Sequence, residues 1–279
     1  MPIAPRSDDP RVSAVAVPSR WQGVADAAPR YAVIIGVHLA LLAAWYFVSA
    51  LGVVRPFILP SPGATLNTIF QQNYQWLDNT WVTGVEIFVG YSIAVVFGVV
   101  LALLFSWFRV IHTALFPLFV TISMIPKVAL GPLLVVWFGY GIATNIFFAF
   151  LLTFFPILIT SARGLSEIEP DLLDLARSLK GTRFQIFVKI QLPGALPYIF
   201  SSMKVGAILA VAGAIVGEFV ASSRGLGYLM IQVQGQLDTA GMFMAVFLLT
   251  ILGVLLFGLV VILERIFVVQ DARLDGGAA

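Results

Sequence analysis

The stretch VTGVEIFVGYSIAVVFGVVLALLF, residues 82–105, carries a single charge, Glu86, in twenty-four residues. About 20 predominantly apolar residues are enough to cross a bilayer as a helix, so this run reads as a transmembrane span. Five more such blocks flank it: 31–53, 112–138, 142–161, 197–220 and 242–268. The third span, 112–138, is interrupted by Pro117, Pro126 and Pro132, and the fourth contains Pro156. The expected fold class is therefore all-α, a polytopic membrane protein with about six transmembrane helices.

Composition agrees. The chain has 279 residues, is 60% hydrophobic and only 11% charged, with a mean hydropathy of +0.99. A soluble domain carries roughly a quarter charged residues. The pI near 9.0 comes with a net charge of only +2, and the cations sit beside the spans. That pattern describes membrane topology and gives no nucleic-acid face. With no cysteine in the chain, disulfides, zinc-thiolate sites and cysteine nucleophiles are excluded. Residues 1–30 lack an apolar core, and Val48-Ser49-Ala50 only loosely resembles a cleavage site, so the first span is expected to stay as an anchor.

The cations set the expected orientation. An N-terminus in the cytoplasm puts Arg6, Arg11, Arg20, Arg30, Arg109, Arg163, Arg177, Lys180, Arg183, Lys189, Arg265 and Arg273 inside, and leaves only Arg55 and Arg224 outside. This follows the positive-inside rule. The expected organisation is a cytoplasmic tail (1–30), a first helix with an outer loop (31–80), a core (81–268) holding a cytoplasmic loop at 162–196, and a cytoplasmic tail (269–279). Two outer stretches, 57–80 and 221–241, are expected to form short surface helices. Small residues recur every four positions at Gly90, Ala94, Gly98 and Ala102, and again at Gly206, Ala210 and Ala214. Such stripes let helices pack closely in lipid, within one bundle or across a dimer seam.

One inner segment differs from its surroundings. LARSLKGTRFQIFVKIQLPGALP, residues 175–197, holds four cations between apolar spans. Pro170 suits a first helical turn, and Asp171 and Asp174 complement the positive end of the helix dipole. Leu172, Leu175, Ala176 and Leu179 form one apolar face. Gly181 is expected to stop this helix in a left-handed conformation. Thr182 and Gln185 have the spacing of a capping box that starts a second short helix, which Pro193 is expected to end. The apolar face of this elbow needs a cover: its own bundle, the lipid interface or a cytoplasmic partner.

The same residues resemble a known motif. Membrane subunits of bacterial ABC importers carry a cytoplasmic loop with the pattern EAA, three residues, G, nine residues, I, one residue, LP. Here residues 174–193 read DLARSLKGTRFQIFVKIQLP. Asp174 stands at the glutamate, Leu175 and Ala176 at the alanines, and Ile190, Leu192 and Pro193 at the end. Lys180 stands at the glycine and Gly181 follows it, which shifts the expected elbow by one residue. ILPSP (58–62), IPKVALGPLLVVWFGYG (125–141) and GEFVASSRGLGYL (217–229) are similar to the nitrate, sulfonate, taurine and pyrimidine-precursor permeases.

The resemblance implies a type I ABC importer permease fold. It implies two cytoplasmic ATPase subunits, an external binding protein (periplasmic or lipid-anchored) and a second permease copy, with a homodimer expected in the bacterial inner membrane. It makes Asp174, Leu175, Ala176, Arg177, Leu179, Gly181, Ile190, Leu192 and Pro193 the expected ATPase-coupling residues. No lysine follows the glycine spacing of a phosphate-binding loop, so this chain is not expected to be an enzyme or to carry a cofactor, and ATP and Mg belong on the partner.

Four ionisable residues fall in or at the ends of spans: Glu86, Lys127, Lys204 and Glu218. An ionisable group at membrane depth costs about 2.5–3.5 kcal/mol on insertion scales and marks a candidate site. Glu86, Lys204 and Glu218 lie near span ends, where snorkelling or local pairing is expected. Lys127 sits mid-span beside Pro126, where freed carbonyls, an acid or an anionic solute would satisfy it. Glu86, Lys127 and Glu218 are the candidate translocation-pathway residues. His38 and His112 are isolated, with no catalytic or metal partner at diagnostic spacing. Two rival functions remain open to the residues alone: an ion-coupled secondary transporter, which needs internal repeats and a midplane acid, and a membrane enzyme, which needs a clustered nucleophile, His and carboxylate. Neither pattern is present.

Overall fold

A computed structural model describes residues 20–167 and 170–268, and side chains from residue 32 onward except Pro170. The tail expected at 269–279 and most of that at 1–30 lie outside the described residues. The chain divides into two units, Met1–Pro62 and Gly63–Ala279. The first holds α1 (Arg20–Ala50), whose stretch Ala32–Ala50 is long and apolar enough to cross a membrane. Within that unit the indole N–H of Trp45 donates to the Pro60 carbonyl at 2.9 Å.

The second unit contains α2 (Pro62–Asn67), α3 (Trp76–Trp107), α4 (Arg109–Ser123), α5 (Gly131–Phe138), α6 (Ile142–Ser166), α7 (Pro170–Ser178), α8 (Arg183–Ile186), α9 (Leu192–Ala221), α10 (Leu226–Gly235) and α11 (Thr239–Phe267). Short 3-10 turns lie at Thr68–Phe70, Gln72–Tyr74 and Lys127–Leu130. No strand occurs among the described residues.

Helix α6 is the centre of the bundle, and glycines bring its two main neighbours against it. A Cβ on Gly90 of α3 would lie 2.6 Å from the Ala149 side chain, and one on Gly98 would lie 2.9 Å from Ile157. From the other side, a Cβ on Gly213 of α9 would lie 2.7 Å from the Ala149 Cα, and one on Gly217 2.7 Å from the Asn145 Cα. Bare backbone at these points permits contact that any larger residue would block. Both small-residue stripes thus face the interior of one chain: Gly90, Ala94, Gly98 and Ala102 are all buried, as are Gly206, Ala210 and Ala214.

These contacts also give direction. Along α3 and α6 the partners advance together, Glu86 with Asn145, Gly90 with Ala149, Gly98 with Ile157, so the two helices run parallel. Along α6 and α9 they run in opposite senses, from Asn145 with Gly217 to Gly164 with Tyr198. Two parallel helices need a return between them. That return is the pair α4 and Lys127–Phe138, bent by 83° where Pro126 interrupts the helix. The pair is one broken crossing, and with the five straight candidates it makes six.

One sequence expectation changes here. Pro193 does not end a helix. Residues Phe187–Gln191 form a π-helical turn, and the path from α8 runs through it into α9, with Pro193 in the first turn. A proline has no N–H and its ring crowds the carbonyl four residues back, and a widened turn accommodates both. The short helix expected in the second outer stretch is α10, whose Ile231, Gln232 and Gln234 are exposed. Its Leu226, Leu229 and Val233 are buried in a second core cluster with Tyr74, Trp76, Met244, Ala245 and Leu249. The Tyr74 hydroxyl donates to Asp238 at 2.6 Å, and the Trp76 indole N–H donates to the Thr68 carbonyl at 2.8 Å, which pins the 3-10 turns to this cluster.

Candidate functional site

The loop between α6 and α9 is built from local rules. In α7, Asp171 lies in the first turn, and Asp174 accepts from Arg177 at 2.7 Å one turn on. The helix ends in a Schellman motif: the Gly181 N–H donates to the Ala176 carbonyl at 3.0 Å and the Lys180 N–H to the Arg177 carbonyl at 2.9 Å. The left-handed residue is Lys180, at φ +59°, and Gly181 has no positive φ. The elbow therefore stands at residue 180, the motif's own glycine position, and the one-residue shift expected from the sequence is corrected. Gly181 is needed for another reason. A Cβ there would lie 2.8 Å from the Ala176 carbonyl oxygen.

The second half of the loop starts as expected. The Thr182 hydroxyl accepts from the Gln185 N–H at 3.3 Å, and the Gln185 side chain accepts from the Thr182 N–H at 2.9 Å. This capping box satisfies two helix-start donors. Leu175, Leu179 and Phe184 leave 57%, 75% and 66% of their surfaces exposed. Ile190 and Leu192 are half-buried, and Pro193 is exposed. The loop is rigidly capped yet presents apolar side chains outward.

At the opposite end of the bundle two acids meet. Glu86 of α3 is fully buried and Glu218 of α9 nearly so, and Asn145 of α6, which binds Glu86, packs against Gly217 beside Glu218. Glu218 accepts from the Thr83 hydroxyl at 2.5 Å and from the backbone N–H groups of Gly227 and Tyr228. Glu86 accepts from the Asn145 amide at 2.8 Å, while its other oxygen and the Asn145 oxygen have no donor. Asn79 accepts from the Gly225 N–H at 2.8 Å, and the Leu226 N–H donates to Thr83 at 2.8 Å. The start of α10 is thus tied to α9 and α3. Gly225, at φ +110°, has the Glu218 carboxylate where its Cβ would be. Neither acid snorkels. Their hydrogen bonds are made inside the bundle.

Lys204 does not snorkel either. It pairs with Glu264 of α11 at 3.3 Å, both side chains nearly buried. Lys127 stands at the 83° break, half-buried. Its ammonium donates to the Ser123 carbonyl, which the break leaves without a helical partner, and lies 5.1 Å from the Phe155 ring centroid. Among the described residues no group of three or more His, Cys, Asp or Glu could hold a metal ion.

Comparison with known proteins decides the family. Residues 94–268 match the model of the binding-protein-dependent transport system inner membrane component. The chain belongs to this family. A probable ABC transporter permease protein of Haemophilus influenzae is 37% identical over 224 residues, 80% of this chain and 90% of that protein. The formylaminopyrimidine transport permease protein of Halalkalibacterium halodurans is 34% identical over 229 residues, 82% and 91% of the two chains. The taurine transport system permease protein of Escherichia coli is 27% identical over 210 residues, 72% and 76%. The chain is accordingly an ABC importer permease, a multi-pass inner-membrane protein and a pore-forming subunit of its importer.

Some residues of this permease were not legible as functional candidates. Thr83, Asn79 and Asn145 are ordinary polar residues in apolar runs, yet they hold the acid cluster together. A polar residue buried in a span is the signal that marks them. Trp107 and Arg183 lie 76 positions apart, and nothing local in the sequence joins them.

Proposed function

We propose that this permease passes a small anionic or heteroaromatic solute across the inner membrane by alternating access, driven by two ATPase subunits docked on the 170–193 loop. ATP and Mg act on those partners. An external binding protein delivers the solute, a second copy of this chain completes the pore, and both termini face the cytoplasm. The observation that carries the reading is the capped loop with Leu175, Leu179 and Phe184 turned outward. Caps at Lys180–Gly181 and at Thr182 stiffen it, so a push on this surface moves α8 and the continuous α9 behind it. Relatives named for transport of a formylaminopyrimidine and of taurine, and a riboflavin transport system permease protein of Chloroflexus aurantiacus that is 33% identical over 236 residues, support the solute class.

Of the three pathway candidates, Lys127 has the most support. It is half-buried at the broken crossing, and its ammonium has donors beyond the one given to Ser123. Glu86 and Glu218 are enclosed, and a solute reaches them only if α10 shifts away from α9.

The test is co-expression with the cognate ATPase and reconstitution with the binding protein. Leu175→Glu or Leu179→Glu should leave membrane insertion intact and lower transport per ATP hydrolysed by roughly tenfold. Parent-like ATPase binding and transport in both variants would overturn the docking assignment. Calorimetry of the binding protein against taurine, other sulfonates, nitrate and pyrimidines identifies the solute.

A further inference from the structure

The last turn of α3 carries no basic residue of its own. A helix C-terminus leaves its final carbonyls without intrahelical partners and gathers partial negative charge, and a cation placed there is stabilising. Here the cation comes from a distant segment. The Arg183 guanidinium, in the first turn of α8, donates to the Trp107 carbonyl at the end of α3. It also lies 5.0 Å from the Trp107 ring centroid, where a planar cation is attracted to the π face. The Phe187 ring meets the same indole edge-on, at 5.3 Å and 88°. Trp107 is thus held by two residues of the loop, four positions apart on one helical face.

We propose that Trp107 is a positioning residue for coupled transport: the Arg183–Trp107–Phe187 cluster makes the loop and the α3–α4 corner move as one body. The proposal rests on the docking of an ATPase to this loop and adds the place where its motion enters the rest of the pore. The corner is suited to that role. Residue 108 alone separates α3 from α4, and α4 leads directly to the break at Lys127. Displacement of α8 therefore reaches the broken crossing through Trp107, in parallel with its path along α9. Arginine fits the task better than lysine because its planar group can stack and donate at once. Arg109, exposed in the first turn of α4, is the nearest cation in sequence and leaves the Trp107 carbonyl to Arg183.

The experiment uses the assembled transporter, with the ATPase and the binding protein, in proteoliposomes. Trp107→Ala, outside the docking loop, should leave ATPase binding and hydrolysis near parent levels and lower transport per ATP by roughly tenfold, and Arg183→Gln should lower transport per ATP to the same extent. Trp107→Phe keeps an aromatic face and should recover transport to within about threefold of the parent. Transport per ATP at the parent level in Arg183→Gln would overturn the proposal, and that variant decides the matter if Trp107→Ala does not assemble. Leu175→Glu separates the two levels. If it uncouples the transporter while Arg183→Gln does not, the docking stands and the Trp107 path fails. If neither changes transport, the docking itself fails.

Discussion

The backbone amide of Gly181 donates to the Ala176 carbonyl at 3.0 Å, and a methyl group added to Gly181 would stand 2.8 Å from that same oxygen. Lys180, one residue earlier, takes the left-handed conformation that glycine adopts without cost. Lys180→Gly should therefore stabilise the elbow by about 1 kcal/mol, and Gly181→Ala should destabilise it by about 1–3 kcal/mol. Amide exchange read by mass spectrometry over residues 175–182 should slow in the first variant and quicken in the second. Opposite changes would place the left-handed residue at 181.

The two buried acids are not equivalent. Glu218 receives donors on both oxygens, so Glu218→Gln turns an NH2 group against a hydroxyl or a backbone N–H. That should cost about 1–3 kcal/mol and loosen the start of α10. Glu86 receives a donor on one oxygen only. Glu86→Gln keeps that acceptor and should cost less than about 1 kcal/mol. Thermal unfolding in detergent ranks the two, and equal losses would contradict the hydrogen-bond arrangement described above.

Gly213 tests the packing of α6 on α9. Gly213→Ala places a methyl 2.7 Å from the Ala149 Cα and 2.8 Å from the Phe148 carbonyl. Backbone cannot yield as a side-chain tip does, so a loss of about 1–3 kcal/mol is expected. Gly84 is the control, because its nearest neighbour is Leu252 Cδ2 at an ordinary 3.6 Å. Gly84→Ala should leave the unfolding temperature within about a degree of the parent.

The Lys204–Glu264 pair joins α9 to α11 with both side chains nearly buried. Removing one partner strands a buried charge, so Lys204→Met should cost about 3–5 kcal/mol. The double variant Lys204→Met/Glu264→Leu should regain most of that, since a well-packed apolar pair replaces a buried ion pair at little cost. A double-mutant cycle on thermal stability measures the coupling. Simple additivity of the two losses would show that the pair does not act as a unit.

Much of this permease was legible without coordinates, because its signals are local. The span at 82–105 follows from twenty-four residues with one charge, and the capping box follows from Thr182 and Gln185 three positions apart. The small-residue stripe of α3 declared a packing face. It left the partner open, and the partner is α6 of the same chain. The elbow was misplaced by one residue because composition favoured Gly181, while the close approach to Ala176 reserved glycine for that position and passed the left-handed turn to Lys180.

The sequence by itself determined that the chain crosses about six times, which segment interrupts the crossings and where the second helix of that segment is capped. Hydropathy and capping act over a single helical turn or a single span, and they can be read in one dimension. Only the tertiary structure decided that Arg183 closes the end of α3, that Glu218 is held by Thr83 and the start of α10, and that Lys204 finds Glu264. The physical reason is common to the two groups inside the bundle. A charge or polar group inside an apolar bundle must find a partner, but the requirement does not say which one. The choice is made by which helices glycine and alanine allow to come close.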